Sequence, residues 1–361
     1  MRATSDRLLG LDVLRGFAAM AVMLGHYTIW FGDNYGHPQP LLFYPQLGEY
    51  GVPLFFMISG FVIRMTMDRC DTVRDFAVSR LARLFPVYWA AVVLTYLVVS
   101  LAGLPGREVS FATMLINLTM CQQFFNLENV DTVYWTLYIE LCFYLVAALV
   151  LWSGRRSLLV AALVILIVAN LVGFNYTLLF HIPGVWHISP WVPRPPLDLL
   201  EFAHFFLFGA ALFEARTGWR WWMLPVIALC LVATKWNHTW EHVAIVLAIS
   251  VIFALLTRVQ VPFLVNRLTV YLGTISYSLY LIHANIGFVL IRWGYEQNWN
   301  GNVLVILACV LSLALASVLT FAVEQPINRM LRRRYAAWKE RGEERTERLS
   351  TSPDAESRGR N

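Results

Sequence analysis

Arg15 and His26 stand eleven residues apart in one apolar stretch, Leu8–Trp30, that is long enough to cross a bilayer. Ionisable side chains are costly in lipid and by default mark a functional site. Eleven residues make about three turns at ~3.6 residues per turn, so both side chains share a helix face. They lie roughly 16 Å apart along the axis at ~1.5 Å per residue. A fixed cation near one membrane surface with an imidazole deeper in suits an anchored anionic donor whose reactive end reaches the imidazole. Such a pair predicts one cavity that opens inward, with guanidinium at its mouth and imidazole at its floor. Imidazole accepts protons near neutral pH. The same histidine could instead hydrogen-bond a neighbouring helix for packing. Asp12, three residues before Arg15, can neutralise the guanidinium and also orient it toward a phosphate.

Arg80-Leu81-Ala82-Arg83-Leu84-Phe85-Pro86 places two arginines on one helix face, with Pro86 as a kink or helix start. Two guanidinium forks so placed can clamp a phosphate, or simply decorate an inward loop. Glu140, in Trp135–Glu140, is an acid inside an apolar helix; it can orient His26 or an arginine, bind a substrate hydroxyl, or form a structural ion pair. Ser59, in Phe55–Phe61, reads mainly as a small packing residue, since no nucleophile elbow surrounds it. Ser276, Tyr280 and His283 recur at spacings of four and three along Gly273–His283, a polar stripe that should face a cavity. Glu201 and His204 make a similar pair. His238-Thr239-Trp240-Glu241-His242 matches the H-x-x-E-H zinc-protease pattern but has no third ligand in view, so it reads as interfacial and no metal site is expected.

These residues need apolar helices to hold them, and the composition supplies them. The 361 residues are 58% hydrophobic and only 14% charged, where soluble domains carry about 25% charged residues. The mean hydropathy of +0.58 is that of an integral membrane protein. Fourteen Trp and fifteen Tyr suit interfacial belts. The five cysteines show no metal or redox spacing, and no disulfide framework is expected. Asp12 and Arg15 interrupt the first apolar run, which argues against a cleavable signal peptide. The net charge of +5 does not point to nucleic acid, because inward membrane loops are normally basic.

Ten crossings are expected: Leu8–Trp30, Tyr50–Met65, Leu84–Leu101, Val133–Trp152, Leu158–Phe174, Leu199–Ala215, Trp221–Thr234, Val243–Leu256, Val270–Ile291 and Val303–Val323. Phe111–Phe125, interrupted by Asn117 and Gln122, reads as interfacial or re-entrant. With the N-terminus inside, Arg64, Arg69, Arg74, Arg80, Arg83, Arg155, Arg156, Arg216, Arg220, Arg258 and Arg267 fall in inward loops, and only Arg107, Arg194, Lys235 and Arg292 in outward ones. That bias puts both termini in the cytoplasm. The fold expected is an all-α polytopic membrane protein, with a transmembrane domain at 1–328 and a charged cytoplasmic tail at 329–361, helical at first and disordered at the end. Pro326, in Glu324-Gln325-Pro326, is expected to end or bend the last crossing.

Taken in order, Leu11–Ala19 continuing to His26, Phe55–Phe61, Arg80–Pro86, Trp135–Glu140, Gly273–His283 and Glu324–Pro326 resemble the membrane acyltransferase-3 family over roughly residues 8–328. That family O-acylates bacterial glycans and some secondary metabolites. The resemblance implies an enzyme of the bacterial inner membrane, with cytoplasmic acyl-CoA, usually acetyl-CoA, as donor substrate and no bound cofactor. It implies a catalytic role for His26, and donor binding or stabilisation by Arg15, Arg80 and Arg83. The acceptor expected is a sugar hydroxyl on a polysaccharide or lipid-linked precursor. The outward loops Trp30–Gly48 and Phe174–Leu197 are candidates to contact it. Glu140 is expected to orient His26, and Tyr280 or Ser59 to stabilise the oxyanion. Some relatives carry an extracytoplasmic hydrolase-like domain; none is expected here, so a relay would need a separate partner. A macrolide-type acceptor and an organic-anion transporter are the competing readings.

Overall fold

A computed structural model describes residues 8–172, 198–218, 220–259, 261 and 263–350. The loop Phe174–Leu197 and the last residues of the tail lie outside them. Among the described residues there are helices and no strands. We number the principal helices α1 (Leu9–Gly25), α2 (Gly51–Met67), α3 (Val73–Ala102), α4 (Trp135–Trp152), α5 (Leu158–Leu171), α6 (Asp198–Thr217), α7 (Met223–Asn237), α8 (Trp240–Arg258), α9 (Arg267–Glu296), α10 (Gly301–Val318) and α11 (Gln325–Ser350). Among the described residues, seven helical stretches are long and apolar enough to cross a membrane; α5 and α7 are shorter apolar helices. Each of the ten apolar runs expected to cross has a helix in it.

The boundaries differ in two informative places. First, α3 starts at Val73, well before Pro86, on a capping box in which Thr72 and Asp75 satisfy each other's backbone N–H groups. Pro86 sits inside a continuous helix, which membrane proteins tolerate because neighbours satisfy the freed carbonyl. Second, Pro326 does not end the last crossing. A π-helical turn, Leu319–Glu324, joins α10 to α11, and the helix runs on to Ser350. Pro326 follows directly on that π-helical turn and does not end the helix. Phe111–Asn117 is a short helix and Gln122–Phe125 a single 3₁₀ turn; neither crosses.

The core is built on α1 against α9 and α2 against α6. Small residues let these backbones meet. Gly273 of α9 lies so close to the Asp12 carbonyl of α1 that a Cβ would overlap it. This close approach fixes the Arg15 helix against the one that carries Ser276, Tyr280 and His283. A second tie is polar. Buried Asp131, just before α4, accepts the Asn285 backbone N–H at 3.1 Å, while Asn285 Nδ2 donates to the Val130 carbonyl at 2.9 Å. The Thr132 hydroxyl donates to Asn285 Oδ1 at 2.9 Å. With its buried groups so satisfied, this latch holds the start of α4 two residues from His283.

Candidate active site

The residues singled out by spacing do not share one cavity. Arg15, Arg80 and Arg83 line a cleft of about 710 Å³, mouth included, together with Phe55, Ser59, Glu140, Tyr144, Ser276 and Tyr280. His26 lines a different cleft of about 970 Å³, with Trp30, Asn34, Glu49, Arg107, Trp135, Phe202, His238, Tyr280 and Phe288. Tyr280 and Val52 line both. The single inward-opening cavity expected from the Arg15–His26 spacing is therefore two, with these side chains between them. The tyrosine is held there by its hydroxyl, 2.7 Å from Thr136 Oγ1 and 3.3 Å from the Val133 carbonyl.

The arginine cavity is cationic, and its hydrogen bonds go mostly to neutral groups. Arg80, largely buried, donates to Thr66 Oγ1 at 3.1 Å and to Ser79 Oγ. Arg15 lies 3.7 Å from Asp12. Among the described residues, no carboxylate comes within ion-pair distance of Arg80 or Arg83. Glu140 faces this cavity but spends its Oε1 on the hydroxyls of Ser59 and Tyr144, each at 2.7 Å. Ser276 donates to the Gly273 carbonyl at 2.8 Å. Guanidinium forks in a pocket shielded from water are a strong anion site.

The histidine cavity has a different logic. His26 opens a π-helical turn, His26–Trp30, that continues α1. Such turns re-aim side chains and recur at functional sites. The group beside the His26 ring is His283, not Glu140. His283 Nδ1 lies 2.9 Å from the Tyr280 carbonyl and 3.1 Å from that of Leu279. Carbonyl oxygens only accept, so this nitrogen carries the proton and His283 Nε2 is the acceptor. His26 Nδ1 is 3.2 Å from that Nε2 and 2.9 Å from the Val22 carbonyl. It sits between two acceptors and therefore carries its own proton. The partners thus assign His26 the tautomer whose Nε2 holds a lone pair. Tyr27 stiffens the arrangement: its buried hydroxyl donates to the His283 carbonyl at 2.8 Å and lies 2.6 Å from Ser312 Oγ. Gly287 makes room for the Tyr27 ring.

Aromatic rings form much of the wall around His26. The Trp30 ring centroid is 4.0 Å from the imidazole and that of Phe288 is 6.2 Å away. The rim is polar, with Arg107 donating to Asn34 Oδ1 at 3.1 Å. His238, from the zinc-protease-like run, also lines this cavity, with its ring stacked on that of His242 at 4.9 Å. Burial, then the neighbouring His242, pushes the His238 imidazole below its ordinary pKa, against a smaller opposite pull from Glu49. Glu201 and His204 line neither cavity. Sequence reasoning passed over Tyr144, which hydrogen-bonds Glu140, and the cavity's aromatic wall. Trp30 was visible as the fourth residue after His26 and so one helical turn from it.

A family model described as an acyltransferase domain matches residues 8–321. Nodulation protein 10 of Rhizobium leguminosarum bv. viciae is 25% identical over 357 residues, covering 87% of this chain and 92% of its own. Acyltransferase MdmB of Streptomyces mycarofaciens is 26% identical over 381 residues, covering 91% and 93%. An O-acetyl transferase of Shigella phage Sf6 is 25% identical over 239 residues, covering 62% and 67%. No solved structure matches the chain.

Proposed function

The chain belongs to the acyltransferase-3 family, and from that premise we propose that it is an O-acetyltransferase of the bacterial cytoplasmic membrane, taking its acyl group from cytoplasmic acyl-CoA and delivering it to a hydroxyl of a cell-surface or exported polysaccharide or its lipid-linked precursor. The observation that carries this reading is the pair of cavities that share Tyr280 and Val52 in their walls, one cationic and one holding the His26 imidazole. An enzyme joining an anionic donor to a neutral hydroxyl acceptor needs both. The charge bias of the loops supports a cytoplasmic arginine end, hence donor entry from inside and acceptor entry from outside. The aromatic wall and polar rim around His26 suit a sugar ring, which offers apolar C–H faces and hydroxyls together.

In the reaction, Arg15, Arg80 and Arg83 hold the donor phosphates and the pantetheine arm extends past Val52 and Tyr280. His26 Nε2 takes the proton from the acceptor hydroxyl as its oxygen bonds to the thioester carbonyl carbon. The tetrahedral oxyanion then collapses with cleavage of the C–S bond, and the proton on His26 goes to the departing thiolate. His283 Nε2 and the Val22 carbonyl accept from Nδ1–H throughout, which stabilises the imidazolium and holds the ring. Tyr280 and Ser59 remain the two candidate oxyanion donors, and each must first give up its present partner, the Thr136 hydroxyl with the Val133 carbonyl for Tyr280 and Glu140 for Ser59. Glu140 acts in the donor cavity.

The test is transfer of labelled acetyl from acetyl-CoA to envelope glycans by protein reconstituted in liposomes. Acceptor-dependent release of free CoA, abolished in His26→Ala, is the expected result. Counterflow of an organic anion without any acetyl transfer would instead make the protein a transporter.

A further inference from the structure

The tail helix packs against α3, the helix that carries Arg80 and Arg83. Leu331 of α11 shares an apolar groove with Leu81, Ala82 and Phe85 of α3. One turn further on, the Tyr335 hydroxyl donates to Asp75 Oδ1 at 3.0 Å, and Lys339 Nζ lies 3.4 Å from both oxygens of that carboxylate. The Arg74 guanidinium sits 3.6 Å over the Trp338 ring. Numbers rise along α11 as they fall along α3, so the two helices run antiparallel in a fixed register. That register sets Arg332 beside the turn that carries Arg80 and Arg83, near enough for the charges of Arg332 and Arg83 to act on one another.

Arg332 is exposed, and its Nε donates to Asn328 Oδ1 at 2.7 Å, a neutral partner. Among the described residues no carboxylate lies within ion-pair distance of it. The acid Glu324 accepts a hydrogen bond from Ser278 at 3.1 Å and lies near enough to Arg83 and Arg15 to interact with their charges. The clamp to Asp75 therefore holds Arg332 against like charges, an arrangement that a bridging anion relieves. Arg332 thus adds a further guanidinium close to Arg80 and Arg83, just outside the residues that line the cleft.

We propose that Arg332 is the outermost phosphate ligand of the donor site and binds the 3′-phosphate on the ribose of CoA. The inference rests on the reading of acyl-CoA as donor. The pyrophosphate lies at Arg80 and Arg83, and the tail helix meets the nucleotide end. A lipid headgroup phosphate offers Arg332 the same chemistry, so the test separates the two sources.

CoA and 3′-dephospho-CoA are titrated into the full chain held in neutral phosphatidylcholine nanodiscs, as wild type, Arg332→Ala and Arg332→Lys. Wild type is expected to favour CoA by about 10- to 100-fold, the worth of one hydrogen bond to a charged group. Arg332→Ala should bind both nucleotides equally, at the wild-type affinity for dephospho-CoA, and Arg332→Lys should recover part of the preference. An exposed helical position accepts alanine without loss of the fold. A preference for CoA that survives in Arg332→Ala, or is missing in wild type, overturns the proposal. So does a preference untouched by the substitution while an effect of added phosphatidylglycerol on thermal stability disappears, which assigns Arg332 to lipid. If wild type binds neither nucleotide, the donor reading itself falls. If it binds both equally, only the Arg332 assignment does.

Discussion

The two ends of α1 solve different problems with similar means. Around Arg15 the helix contributes to a cavity where cations from two helices meet and the hydrogen bonds of Arg80 go to hydroxyls. Around His26 the imidazole is held by acceptors on one nitrogen, with aromatic rings around it. Under the proposed function the first end anchors the donor and the second does the chemistry, so the two tasks fall on one helical stretch but in separate clefts, and Tyr280 with Val52 lines both.

The comparison breaks most severely at His26. Replacing it with alanine should lower acetyl transfer by ~10²–10⁴-fold, the usual share of a general base, measured as acceptor-dependent CoA release. At the other end, Arg83→Ala should raise KM for acetyl-CoA by roughly 10- to 100-fold and move kcat much less, since it removes a charged hydrogen-bond donor to the ligand. Arg83→Lys should recover charge but not the fork, and land between. His283→Leu sharpens the contrast. It removes one of two acceptors from the imidazolium formed in the transition state, worth about 1.5–3 kcal/mol, so kcat should fall by about tenfold or more at unchanged KM for the donor. His283→Gln, whose side-chain oxygen can accept from His26, should retain more activity, and equal loss in both variants would argue for a packing role alone. The smallest effect should come from Gly287→Ala. The added methyl crowds Tyr27 and should cost ~1–3 kcal/mol of stability, read as a lower melting temperature.

Much of this was legible in the chain. Ten apolar runs foretold the helices, because lipid leaves the backbone few other choices. Arg15, Arg80 and Arg83 announced themselves as charges in or beside apolar segments, and they meet in one cavity. The partner of His26 was not legible. Glu140 and His283 are both polar residues on apolar helices, and only the rotation and depth of those helices decides which one faces the imidazole. The division into two cavities was hidden for the same reason, since Tyr280 acts as a partition only where α9 packs on α1. Arg332 read as one charge in a basic tail. Its register against α3 depends on the helix continuing through the turn at Leu319–Glu324 and past Pro326, and a proline by itself argues for a break.

The division of labour between the two clefts is tested most directly by the affinity of acetyl-CoA for the His26→Ala and Arg80→Ala/Arg83→Ala variants in nanodiscs. The account predicts binding within about twofold of wild type when the imidazole is removed, and binding weaker by about 100-fold or more when the two guanidiniums are removed. Equal weakening in both, or undiminished binding without the arginines, would contradict it.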